Sequence, residues 1–159
     1  MSTQSDKVIA AAKAEVGTTE TPVNRTKYGK WFGMDGQPWC AMFVSWCYAQ
    51  ANATSLINQS PKGYAGCESF EAWAKAKGFT VPVSMVQPGD ILLFDFSKKG
   101  KAEHTGIALG YNKNTHLIDT VEGNTGSDNT GSQANGDGVY LKHRAPSTVR
   151  YVVRPKWSN

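Results

Sequence analysis

A chain of 159 residues and 17.2 kDa has room for one hydrophobic core and not for two, so residues 1–159 are expected to form a single domain. With 40% hydrophobic and 19% charged residues, the composition excludes a disordered chain, and no stretch approaches the roughly 18 apolar residues of a membrane span. The net charge of +4 and pI near 9.0 favour an anionic partner, but Lys and Arg are scattered rather than clustered, which argues against a nucleic-acid-binding face.

The segment Met1 to Lys13 lacks the basic start and long apolar run of a secretory signal, so the expectation is synthesis in the cytoplasm without a signal peptide. Residues 5–16 predict a first helix, with Ser5 as cap, Val8, Ile9, Ala12 and Val16 at helical spacing, and Gly17 as the stop. From Thr18 to Trp39, Pro22, Gly29, Gly33, Gly36 and Pro38 interrupt any long periodicity, while Tyr28, Trp31, Phe32 and Trp39 add large rings. That pattern predicts an ordered aromatic loop. Residues 40–51 follow Pro38 without a breaker and predict a buried helix beginning close to Cys40. A third helix is expected over 68–77, with Phe70, Trp73 and Ala74 on one face and Gly78 as terminator.

Pro88-Gly89-Asp90 then predicts a turn, and strands follow over 91–96, 104–111, 115–122, 138–143 and 148–154. Helices first and strands after give an α+β fold, with N-terminal helices packed on an antiparallel sheet as the economical topology. Residues 123–138 are rich in Gly, Asn, Ser and Asp and predict a long mobile loop. There is no internal repeat and no second domain.

Three cysteines, Cys40, Cys47 and Cys67, form neither an even disulfide framework nor the short pair of a structural zinc site. On one helix, Cys40 and Cys47 would stand about 10 Å apart, too far to bridge. At least one thiol is therefore free. Cys40 is placed where a helix N-terminus offers unpaired N–H groups and positive potential, which favour thiolate and could also hold an oxyanion. His104 opens a strand, where its imidazole could meet a thiol from a facing helix, and Glu122 ends the next strand, beside it in an antiparallel hairpin. A carboxylate on the far ring nitrogen would fix the tautomer and stabilise imidazolium. Asn124 shares the face of Glu122 if the strand stays extended. Gln37 has an amide suited to an oxyanion hole, and Tyr28, Trp31 and Trp39 are candidates to line a substrate groove.

The ordered segments Lys-Tyr-Gly-Lys-Trp-Phe-Gly, Pro38-Trp39-Cys40-Ala41, Pro88-Gly89-Asp90, His104-Thr105-Gly106-Ile107 and Glu122-Gly123-Asn124-Thr125 resemble the CHAP family, the cysteine, histidine-dependent amidohydrolase/peptidases of phage lysins and bacterial wall enzymes. The resemblance runs over about 27–154. It implies a papain-like α+β fold, Cys40 as nucleophile, His104 as base and then acid, and Glu122 with Asn124 supporting the imidazole. The implied substrate is the peptide part of peptidoglycan, cut either between N-acetylmuramic acid and L-alanine or within the stem peptide or cross-bridge. A phage endolysin, monomeric, inserting into no membrane and binding no nucleic acid, is the expected setting.

Some members hold calcium through an aspartate-rich loop, but only Asp35 closely precedes Cys40, so no metal and no cofactor are expected. His116 falls about where the similar NlpC-type wall peptidases place a second His, and is the alternative third residue. Two further rivals are a non-catalytic wall-binding module and a zinc hydrolase built on Cys40, His104 and His116.

Overall fold

The structure is a computed structural model that describes residues 2–127 and 132–157. Among these, helix α1 spans Gln4–Ala14 and helix α2 spans Lys27–Phe32. Helices α3 and α4 follow at Cys40–Gln50 and Cys67–Lys77. Six strands complete the fold: β1 Thr80–Val81, β2 Ile91–Phe94, β3 His104–Asn112, β4 Leu117–Thr125, β5 Gly138–Arg144 and β6 Val149–Val153. The strands form one sheet in the order β1-β6-β2-β3-β4-β5, every pairing antiparallel. The fold is the expected papain-like α+β arrangement of helices on an antiparallel sheet. None of the described helices is long and apolar enough to cross a membrane.

Local chemistry explains where the elements differ from expectation. Helix α1 is capped by Thr3, not Ser5: the Thr3 hydroxyl accepts from the Asp6 N–H at 3.1 Å and the Asp6 carboxylate accepts from the Thr3 N–H at 3.1 Å. The expected aromatic loop contains α2, because Thr26 caps the Gly29 N–H at 3.1 Å and Gly33, at φ 94°, closes the helix in the left-handed region. Strand β1 was too short to show a period. The loop expected over 123–138 begins later, since Gly123, Asn124 and Thr125 belong to β4, and residues 128–131 of it lie outside the described residues.

The core lies between α3 and the sheet. All of Ala41 to Val44 is fully buried, as are Cys47 and Tyr48, so α3 is apolar on every side and passes through the centre. It packs against α1, α2, β3 and β4. The approach to β4 is close: a Cβ built on Gly123 would stand 2.7 Å from Cβ of Phe43 and 2.9 Å from Cζ3 of Trp39. Only glycine lets the start of α3 lie against the strand that carries Glu122.

Candidate active site

Cys40 is the first residue of α3, 7% exposed, and the N-cap residue Trp39 makes no side-chain capping bond. The first-turn N–H groups therefore remain available to charge near the thiol. His104, first residue of β3, is fully buried and pairs with Phe94 across the sheet. Its Nε2 is 2.8 Å from Oε1 of Glu122, and its ring lies 5.7 Å from the rings of both Phe94 and Phe96. The hairpin registers Ile107 with Val121, which puts Glu122 opposite Gly106, and a Cβ at Gly106 would come within 2.5 Å of Cγ of Glu122. That glycine makes the space the carboxylate occupies.

Glu122 is fully buried, and its charge is matched on both oxygens. Arg144 donates from Nη2 to Oε1 at 2.6 Å and from Nε to Oε2 at 2.9 Å, while the Thr120 hydroxyl donates to Oε2 at 2.6 Å. The Arg144 guanidinium in turn lies 4.6 Å from the Phe96 ring. Burial alone would raise the Glu122 pKa, but the bonds from Arg144 and then His104 bring it down to about 2.

Cys40 and His104 act on one another. Burial pushes the imidazole down, but the Cys40 sulfur and then the Glu122 carboxylate raise His104 to about 9. The Cys40 thiol is held well below its ordinary value, first by the neighbouring Cys67 thiol, against burial, and then by His104 and the Ala41 N–H. With Nε2 on Glu122, the nitrogen left for the thiol is Nδ1, which is buried and makes no hydrogen bond among the described residues. Contacts of this kind are often loose before substrate binds. A cavity of about 470 Å³ opens at Cys40, bounded by Pro38, by Gly66 to Ser69 at the start of α4, and by Lys101 to Glu103 just before His104.

Cys40, His104 and Glu122 thus converge, while other candidates fall elsewhere. Asn124 does not bond to the imidazole. The strand does not stay extended there, because Asn124 has φ 58° and the β4–β5 register shifts between Glu122 and Thr125. Its amide is buried with neither polar atom bonded. Gln37 is exposed and does not line the cavity, whereas its neighbour Pro38 does.

Tyr28 and Trp39 are not groove residues. Both are fully buried, stacked at 5.5 Å, with the Tyr28 hydroxyl on Glu15 at 2.7 Å and the Trp39 indole on Glu20 at 2.8 Å. Trp31 is half-buried beneath the Lys62 ammonium, 5.4 Å from its ring, and lies outside the cavity lining.

His116 is exposed in the β3–β4 turn, bonded to the Tyr111 hydroxyl at 3.2 Å. His104 opens the far end of the same hairpin, so eight residues of β3, about 26 Å at ~3.3 Å per residue, separate that turn from the site. This removes His116 both as third residue and as a ligand shared with Cys40 and His104. Sequence reasoning missed Arg144 and Cys67. Arg144 ends a strand with no motif around it, and Cys67 became relevant only through the approach of α4 to α3.

A family model described as the CHAP domain matches residues 31–124, more than half of the chain and the span that holds Cys40, His104, Glu122 and Asn124. No curated protein and no solved structure matches the chain.

Proposed function

The chain belongs to the CHAP family, a family of peptidoglycan hydrolases and amidases, and on that premise we propose that it cleaves an amide bond of the wall peptide by a thiol mechanism. The observation that carries the reading is the convergence of Cys40, at an uncapped helix start, with a buried imidazole whose other nitrogen is held by Glu122.

In the proposed reaction the Cys40 thiolate attacks the amide carbonyl, forming the C–S bond, and the carbonyl oxygen takes the negative charge. The first-turn N–H groups of α3, the helix that Cys40 opens, would donate to that oxygen. His104, as imidazolium, gives its proton to the departing amine as the C–N bond breaks. Water then attacks the thioester with His104 as base, releasing the carboxylate and restoring the thiolate. Glu122 keeps the imidazole in one orientation throughout, and its own charge is balanced by Arg144. The Asn124 amide, buried without a bond, is free to take one up once the groove is filled.

The bond cut is proposed to be either N-acetylmuramoyl-L-alanine or a peptide bond of the stem or cross-bridge, and the setting is phage-type lysis. Support for the substrate comes from the family, and the net charge of +4 suits an anionic wall. Mass spectrometry of purified peptidoglycan digested by the parental and Cys40→Ala proteins tests both points. The parent is expected to release fragments whose masses name the bond, and Cys40→Ala to release at least ~10³-fold less. Equal digestion by the two proteins overturns the proposal.

A further inference from the structure

The cavity at Cys40 has a second thiol on its wall. Cys67 is the first residue of α4 as Cys40 is of α3, both line the same cavity of about 470 Å³, and both are free thiols. Their meeting is fixed by the fold rather than left to a loop. The Ser45 hydroxyl of α3 donates to the Tyr64 carbonyl at 2.8 Å and accepts from the Tyr64 N–H at 2.9 Å. The Tyr64 hydroxyl is 2.8 Å from that of Thr105, the residue after His104. Gly63, at φ 117°, lies so close to Ser45 that a Cβ there would be 2.6 Å from the hydroxyl. The chain is thus riveted to α3 and β3 immediately before it enters α4, and Cys67 arrives three residues later beside Cys40.

We propose that Cys40 and Cys67 form a redox site, in which Cys67 is the resolving thiol that closes a disulfide with Cys40 once a peroxide has oxidised the nucleophile.

The two sulfurs suit the two roles. The neighbouring Cys67 thiol favours thiolate at Cys40, while the Cys40 charge, with burial, holds the proton on Cys67. A thiolate is the form that attacks peroxide. In the first step the Cys40 sulfur attacks one peroxide oxygen, the O–O bond breaks, and the second oxygen leaves as hydroxide, which a proton converts to water. Cys40 becomes sulfenic acid and the peroxide is reduced. In the second step the Cys67 sulfur attacks the sulfenic sulfur, the S–O bond breaks, and the hydroxyl leaves with the Cys67 proton as a second water. Two external thiols reverse the change, becoming a disulfide themselves. Cys47 cannot replace Cys67, since it sits seven residues along the same helix, about 10 Å from Cys40, and is fully buried.

The consequence for activity rests on the proposed thiol mechanism, whereas the disulfide itself does not. The test treats the full chain with hydrogen peroxide, blocks remaining thiols and maps tryptic peptides. The expected product joins peptides 31–62 and 63–75 with loss of two hydrogens, fragmentation placing the link at Cys40 and Cys67. Wall clearing by the parent should fall at least tenfold and return with dithiothreitol to most of its starting value. Cys67→Ser, checked for folding by its thermal transition, should be inactivated by the same dose without recovery, its Cys40 carrying two or three oxygens. Cys40 over-oxidised in the parent with no link to Cys67 overturns the proposal. A link that forms in a protein with no wall activity at all leaves the redox site standing and removes the hydrolase reading instead.

Discussion

At Glu122 one carboxylate serves two cations. It orients the His104 imidazole through Oε1 and accepts a two-pronged bond from Arg144. Glu122→Gln keeps the size and removes the charge, so it is expected to lower kcat/KM by at least ~10²-fold, because the imidazole loses the group that fixes its tautomer. It also leaves a buried guanidinium short of its partner, for which a stability loss of about 3–5 kcal/mol is expected by chemical denaturation. In the parent, kcat/KM against pH should decline on the alkaline side near 9, where imidazolium is lost, and in Glu122→Gln that limb should move to lower pH. The catalytic candidates were legible because their residue types and order are unusual together. Arg144 was not, since an arginine at a strand end reads as a solvated charge until tertiary contact gives it a buried partner. Tyr28 and Trp39 show the converse: ring content does not tell a core from a groove, and their indole and hydroxyl found partners inside, on Glu20 and Glu15.

The elements of the site are held together at places where a side chain is missing. Gly106 on β3 faces Glu122 on β4, and Gly123 faces Phe43 on α3. Gly106→Ala puts a methyl 2.5 Å from Cγ of Glu122 and 3.2 Å from the Val121 carbonyl, so strand separation or rotation of the carboxylate must follow. The expected result is a loss of about 1–3 kcal/mol in stability together with at least a tenfold drop in kcat, read from denaturation and wall-clearing assays. Unchanged kcat would show that the carboxylate tolerates a different position. Elements with a strong local signal were readable: α3 from its unbroken apolar run, α4 from Gly78, the strands from their apolar runs and turns. Helix α2 was hidden because Gly29 and Gly33 look like breakers, although Gly33 is what ends the helix properly. The bend at Asn124 was hidden as well: Asn tolerates the left-handed region better than most side chains, but the apolar strand pattern before it reads as continuous.

For the molecule as a whole, three linked titrations set how stability depends on pH. Glu122 has a folded pKa of about 2 against 4.5 when free, so the stability it lends is complete above 4.5 and disappears as pH falls toward 2. His104 has a folded value of about 9 against 6.5, so its contribution is complete below 6.5 and disappears as pH rises through 9. The Cys40 thiol, held well below its ordinary value, contributes in the opposite sense and gains over 6.5 to 9 what His104 loses, so the melting temperature should be highest above about 6.5 and fall as pH drops toward 2. In Cys40→Ala, where no thiolate offsets the imidazole, stability should instead decline as pH rises past 6.5; identical profiles for the two proteins would contradict the pairing. Fold class was readable from helices preceding strands, but the insertion of β6 between β1 and β2 was not, because it depends on a return of the chain from residue 149 that no local pattern encodes. The short turn around Lys113 and Asn114 carries a practical consequence. Joining two nine-residue strands at the pole opposite the thiol, it offers an attachment point for a dye, a surface tether or a fused targeting module that would leave the cleft unobstructed.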